Sequence, residues 1–179
     1  MRFVHDALGM TLDYSHETLP ILDHYLAERA RGEKAEITDL LAPAAGAYFG
    51  EVVRRSVLGA NWHCPDGNYP EHRLEWEPFF LSFNPIGVAI EVLTMKPSEG
   101  WGAHFQVLDE AREAIAHSLE VTSDFSDDDY YTFSVRYEAL EQVADVLGGI
   151  ESHQPKRRHF SPSVYRAAGG SSTGSGIPS

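Results

Sequence analysis

Apolar residues recur at helical spacing near the start of the chain. After Ser15 and Thr18, either of which can cap a helix, leucines follow one another three and four residues apart. This spacing predicts an amphipathic helix with one apolar stripe. The stripe consists of Leu19, Leu22, Leu26 and Ala30.

A second helix is predicted over about residues 43–58. Pro43 suits the first turn of a helix, and Gly59 suits the position after the last turn. Gly46 and Gly50 lie four residues apart and share one side of this helix, which favours a close crossing by another element. The residues predicted to face the core are Ala44, Ala45, Tyr48 and Val52.

The middle of the chain changes to the alternating pattern that is typical of strands. Strands are predicted over 60–64, 72–76 and 79–83, with a tight turn at 65–68. A fourth strand is predicted over 101–107. In the second strand, the alternation places Leu74 and Trp76 toward the core and Glu75 and Glu77 on the outer face.

Three further helices follow the strands or lie between them. Asn84 and Pro85 are favourable cap and first-turn residues, and helical periods recur over 109–119 and 134–147, where a Gly148–Gly149 pair is predicted to end the last helix. The order of helices, strands and helices indicates an α+β fold. We expect a small antiparallel sheet of about three to five strands packed with about four to five helices.

Length and charge divide the chain into a body and a tail. The 179 residues are enough for one domain, predicted over 1–155, with a tail over 156–179. The body carries a net charge of −17 and the tail +4, which together give −13. The tail begins with Lys156, Arg157 and Arg158 and becomes rich in glycine and serine, so we expect it to be flexible.

The same numbers exclude several classes of function. A net charge of −13 argues against a nucleic acid or an anionic membrane as the partner. The longest uncharged stretch, 78–90, is shorter than the ~20 residues that a membrane helix needs, and no signal-peptide pattern is visible. A single cysteine rules out an internal disulfide. We therefore expect a cytoplasmic protein.

Several stretches together resemble a group of uncharacterised bacterial proteins. These are Leu12–Ser15 before a leucine-rich helix, the glycine- and tyrosine-containing stretch Gly46–Arg55, and then Gly59 and Trp62. The later segment Tyr130–Glu138 is similar to a longer variant of the same group. The resemblance implies a compact bacterial α+β domain, and it implies no activity, cofactor or catalytic residue.

One set of residues could carry metal or nucleophile chemistry. His63, Cys64 and His72 offer imidazole and thiolate groups, which suit zinc or a Cys–His hydrolase. A structural zinc site usually takes four ligands, however, and consecutive strand residues face opposite sides of a sheet. We expect no bound metal, and a metal-binding protein or hydrolase centred on these three residues is the alternative reading.

Other candidate chemistry has weaker support. No phosphate-binding glycine loop or nucleophile elbow is present, so no cofactor is expected. Glu51, Arg54 and Arg55 have the spacing of intrahelical ion pairs, with an anion clamp as the alternative. Glu75 and Glu77 could serve as an acid–base pair only if one of them were shielded from water, and outward strand residues are usually hydrated.

The densest negative charge adjoins two aromatic residues. Asp127, Asp128 and Asp129 lie directly before Tyr130 and Tyr131, and such a field speeds association with basic proteins. The sequence therefore favours a non-enzymatic, protein-binding module of the immunity or adaptor type, whose partner is a basic protein. A structural subunit of a larger assembly is a further alternative, and the oligomeric state stays open.

Overall fold

The computed structural model describes residues 9, 12–30, 35–122 and 129–169. Within these residues, a four-stranded antiparallel sheet packs with six α-helices, which confirms the α+β prediction. Three short 3-10 turns lie at His16–Thr18, Tyr69–Glu71 and Asp129–Tyr131. In chain order the elements are α1 (Leu19–Ala30), α2 (Ala35–Ser56), β1 (Ala60–His63), β2 (Arg73–Trp76), β3 (Leu81–Phe83), α3 (Pro85–Thr94), β4 (Gln106–Val107), α4 (Asp109–Thr122), α5 (Phe133–Ser152) and α6 (Pro162–Gly169).

The strands follow one another across the sheet in sequence order, from β1 to β4. Trp62 pairs with Leu74, Leu74 with Phe83, and Leu81 with Val107. Because side chains alternate along a strand, this register puts a continuous apolar row on one face of the sheet. The helices cover that face, and the row belongs to the main hydrophobic core.

Helix α3 lies at the centre of that core. Asn84 caps it as predicted, since its side-chain oxygen accepts hydrogen bonds from the backbone N–H groups of Ile86 and Gly87. Its amide nitrogen donates to the Tyr69 carbonyl at 2.9 Å, which ties the helix start to the turn before β2. Eight of the ten residues of α3 are buried, including a glutamate, so the helix has no solvated face.

Helix α2 crosses the start of α3 at very short range, as the two glycines predict. A methyl group added at Gly46 would lie 2.5 Å from the Ile86 Cα atom and 2.7 Å from the Pro85 carbonyl oxygen. At Gly50 it would collide with the ring of Trp62. The glycines therefore allow the two helix backbones, and the tryptophan of β1, to touch directly.

Two predicted helix boundaries are wrong. Helix α2 begins at Ala35, and Pro43 lies inside it. The proline removes one backbone hydrogen bond, but Ala42 and Ala45 beside it are buried, and this packing keeps the chain helical. Helix α5 continues through Gly148 and Gly149 to Ser152, because Ile150 beyond them still packs against the core.

One predicted inward position is also wrong. Ala44 in α2 is exposed, whereas Ala45, Tyr48 and Val52 are buried as predicted. Phe49 and Val53 are buried as well, so the apolar stripe extends to their side of the helix and away from Ala44, which costs little because alanine carries little apolar surface.

The first part of the predicted tail packs against the body. Phe160 and Tyr165 are buried and form a small second core with Phe80. The Tyr165 hydroxyl donates to the Trp76 carbonyl at 2.6 Å and accepts from the Leu81 N–H at 3.1 Å. The boundary at residue 155 therefore does not separate packed from unpacked chain, because two aromatic anchors hold 156–169 in place. Residues 170–179 lie outside the described part.

Candidate functional site: an acidic helical hairpin

Helices α4 and α5, joined by residues 123–132, form a unit that we call the acidic hairpin. The two helices pack along an apolar seam, and the start of α4 lies beside the end of α5, since both contact Arg158. Burial along this seam fixes their relative position. The buried seam residues are Ala111 and Ile115 from α4, and Leu140, Val143 and Leu147 from α5.

Most of the net charge of the protein lies on this hairpin. From Asp109 to Ser152 the sequence contains twelve acidic residues and two arginines, which gives −10 of the total −13. Arg112 offsets one surface charge by pairing with Asp109 at 2.9 Å, whereas Arg136 is buried and paired with Glu91, so most of the outer charge is not neutralised by these arginines. The exposed acidic residues are Asp109, Glu110, Glu113, Glu120, Asp129, Glu138, Glu141 and Asp145.

A buried ion pair anchors the hairpin to the core. Arg136 on α5 binds Glu91 on α3, and both side chains are almost fully buried. Glu91 also accepts hydrogen bonds from the N–H and hydroxyl of Ser98, at 2.9 and 3.1 Å. Tyr130 covers the other side of the guanidinium, with the Arg136 Cζ atom 3.5 Å from the ring centroid. Burial lowers the pKa of Arg136, which its ionised neighbours oppose.

The start of α5 is fixed from two sides. Thr132 caps it by accepting a hydrogen bond from the Val135 N–H. Asp23 of α1 accepts hydrogen bonds from the N–H groups of Phe133 and Ser134, at 2.7 and 3.0 Å, and thus acts as a second cap from outside the helix. Burial raises the pKa of Asp23, while these hydrogen bonds act in the opposite direction.

The predicted partner-binding residues lie at the connection between the two helices. Asp127 and Asp128 lie outside the described residues. Asp129 is exposed and opens a 3-10 turn, Tyr130 is half-buried against Arg136, and Tyr131 meets the Tyr130 ring edge-on at 5.5 Å between centroids. The described part of the predicted site therefore packs against α5, with the Asp129 side chain exposed and the Tyr130 ring against Arg136.

At the opposite end of the hairpin, two carboxylates enclose one guanidinium. Arg158 donates to Glu110 of α4 at 2.7 Å through Nη1. It donates to both oxygens of Glu151 of α5, at 3.1 Å through Nε and 2.5 Å through Nη2. These bonds raise the pKa of Arg158 further above its ordinary value. We call Glu110 and Glu151 the carboxylate socket.

The candidate metal or hydrolase residues do not converge on a site. His63 ends β1 opposite Arg73, and the His72 ring contacts the Pro65 carbonyl at 3.1 Å. Partial burial raises the pKa of the Cys64 thiol, which disfavours the thiolate that a nucleophile needs. Among the described residues, no three histidine, cysteine, aspartate or glutamate side chains are grouped so that they could hold a metal ion.

The prediction that both strand glutamates are hydrated is wrong for Glu75. This residue is buried, and Arg73 on the same face binds its carboxylate at 2.7 Å, while Glu77 is exposed. The physical reason is the docking of the C-terminal segment beside β2, where Tyr165 bonds to the strand backbone and shields this face. A carboxylate that is neutralised by an arginine is poorly suited to acid–base exchange.

The predicted ion pairs of α2 are present. Glu51 accepts hydrogen bonds from Arg54 and Arg55, which lower its pKa from 4.5 to about 2. Arg55 also lies over the Tyr14 ring, 4.2 Å from its centroid, and Tyr14 stacks on Tyr48. Both arginines are occupied by these contacts, which favours a salt-bridged surface over an anion clamp.

Comparison with known proteins supports the resemblance to uncharacterised proteins. Residues 1–76 match the model of a family of unknown function (DUF6278). The match includes α2 with its two glycines and ends at β2, so the acidic hairpin lies outside it. No curated protein and no solved structure matches the chain. Among the described residues, no helix has both the length and the apolar character needed to cross a membrane.

Proposed function

We propose that the protein is a non-enzymatic binding module, of the immunity or adaptor type, that uses the acidic hairpin to bind a basic protein. The observation that carries this proposal is the concentration of −10 of the net charge on the acidic hairpin, −6 on its two packed helices and −4 on the residues that connect them. A field of one sign steers an oppositely charged partner toward the surface and raises the rate of association.

The construction of the hairpin supports the same proposal. Of its two arginines, Arg136 is buried with Glu91 and Arg112 pairs with Asp109, so only one outer carboxylate is neutralised from within. Asp23, Thr132 and Tyr130 fix the start of α5, which limits the entropy that is lost when a partner binds. Tyr130 and Tyr131 supply aromatic surface next to the carboxylates, and aromatic residues often dominate binding energy.

A comparison of charge-neutralised variants tests the proposal. The hairpin variant replaces Glu113 and Glu138 by Gln and Asp127, Asp128 and Asp129 by Asn. A matched control removes the same five charges elsewhere, by replacing Glu71, Glu77 and Glu99 with Gln and Asp39 and Asp66 with Asn, all of which are exposed. Each tagged protein captures partners from its own host at low and at moderate salt.

We expect wild type and the control to capture a basic protein at low salt and to release it at moderate salt. The hairpin variant should fail to capture this protein. Equal capture by all three proteins, or capture that salt does not weaken, would refute the proposal. The proposal includes a cytoplasmic location, which a fluorescent fusion in the host tests.

A further inference from the structure

The carboxylate socket has a shape that selects between basic side chains. Glu151 presents both of its oxygens to the Nε and Nη2 atoms of Arg158, and Glu110 accepts from Nη1 on the other side. Three donors of one planar group are used by two carboxylates from two helices. A lysine ammonium is a single point charge and cannot reproduce this fork.

The socket belongs to the hairpin itself, because seam packing sets the distance between its two carboxylates. Glu110 lies in the first turn of α4 and Glu151 in the last turn of α5. Glu151 is 12% exposed and Glu110 is 57% exposed, so one carboxylate is held in a half-enclosed position while the other is open to solvent. The socket can therefore be reached from outside.

The present occupant comes from the chain's own basic segment. Arg158 lies between α5 and the aromatic anchors Phe160 and Tyr165, and its side chain is 33% exposed. Its neighbour Arg157 is exposed and makes no ion pair with any residue that the structure describes. The pair of Arg158 with the exposed Glu110 contributes little, so another guanidinium can compete for this open side of the socket.

We propose that the carboxylate socket is a guanidinium site of the binding surface, which Arg158 fills until an arginine of the basic partner replaces it. This inference rests on the proposed function and adds two properties to it. The partner contributes an arginine rather than a lysine at this end of the hairpin, and the C-terminal segment reduces the affinity by competing within the molecule. Because the competitor is tethered, its effective concentration is high even though each contact is weak.

Titration with a synthetic nona-arginine peptide, with nona-lysine as the comparison, tests the inference on the full chain. Arg158→Gln keeps part of the side-chain stem and empties the socket, while Arg157→Gln is the matched control with the same change in net charge. We expect Arg158→Gln to bind nona-arginine about two- to fivefold more tightly than Arg157→Gln, the range given by one exposed ion pair. The gain for nona-lysine is expected to be smaller.

Two double variants locate the effect. Glu151→Gln in the Arg158→Gln background is expected to abolish the gain, whereas Glu138→Gln in the same background, which removes the same charge elsewhere on α5, is expected to keep most of it. Circular dichroism of each variant checks the fold. If Arg158→Gln also detached the C-terminal segment from the body, the socket would still be empty. This variant would therefore still be expected to bind nona-arginine more tightly than Arg157→Gln.

The results separate this inference from the proposed function. If nona-arginine binds wild type in a salt-dependent way but Arg158→Gln and Arg157→Gln bind it equally, the socket inference is overturned and the proposed function stands. If neither peptide binds wild type at low salt, the proposed function falls and the inference falls with it.

Discussion

Replacing glycine by alanine should have opposite effects on stability at two sites: Gly46, where α2 crosses α3 closely, and Gly148 in α5. Gly46→Ala places a methyl group 2.5 Å from the Ile86 Cα, 2.7 Å from the Pro85 oxygen and 2.8 Å from the Ile86 nitrogen. All three atoms are backbone, so no side chain can rotate away. Because carbon atoms pack at about 3.5–4.0 Å, the two helices must separate by roughly 1 Å.

The magnitude follows from two opposing terms. Forcing extra volume into a packed core costs about 1–3 kcal/mol, and the rigid backbone contacts at Gly46 favour the upper part of that range. Alanine is a better helix former than glycine by about 1 kcal/mol, which offsets part of the cost. We expect a net loss of about 1–2 kcal/mol in unfolding free energy, or about 3–6 °C in melting temperature.

Gly148→Ala in α5 is the control, because nothing lies within 4 Å of an added methyl group there. Only the helix-propensity term remains, so this variant should gain about 0.5–1 kcal/mol. Urea unfolding followed by circular dichroism measures both variants. If Gly46→Ala is as stable as Gly148→Ala, the helices are not in direct backbone contact and the reasoning is refuted.

Three further predictions concern individual polar contacts. Tyr165→Phe should lower the unfolding free energy by about 1–3 kcal/mol in urea titrations, because the backbone groups that its hydroxyl bonds in the β2–β3 connection lose a partner; an unchanged midpoint would contradict the docking of α6. Glu91→Gln should cost about 3–5 kcal/mol by leaving Arg136 buried without its counter-ion, and Glu91→Leu combined with Arg136→Met should recover most of this loss; a double variant no more stable than Glu91→Gln would argue against the pair. Since Arg54 and Arg55 hold the pKa of Glu51 at about 2, below its ordinary 4.5, its stabilising effect is complete above pH 4.5 and is lost as the pH falls toward 2. Glu51→Gln should therefore flatten the fall of unfolding free energy in that window, and an unchanged slope would count against this contact.

Local signals predicted the parts of the fold that depend on neighbours in sequence. The Asn84 cap, the pair of glycines that permits the crossing and the ion pairs of Glu51 are each recognisable from residues within one or two helical turns of one another. Helix ends were less predictable: Pro43 and Gly148 disfavour a helix locally, but buried residues on either side keep both helices intact.

The contacts that hold the hairpin were not predicted, because they join distant parts of the chain. Glu91 and Arg136 are 45 residues apart, and Asp23 caps a helix that begins 110 residues later. One signal was available for the first pair, since Glu91 is the only charged residue of the otherwise apolar α3 and a buried charge requires a partner. Tyr165 is recognisable only as an aromatic residue in a mostly polar tail, and nothing in the sequence indicates that its hydroxyl bonds to the backbone of β2.

The proposed steering of a basic protein by the acidic hairpin can be measured as an association rate. Stopped flow at several ionic strengths compares the association of the captured basic protein with wild type, the hairpin variant and the matched control. We expect the rate to fall steeply with salt for wild type and for the control, and the hairpin variant to associate slowly with little dependence on salt. Equal rates and equal salt dependence for all three proteins would contradict the proposed steering.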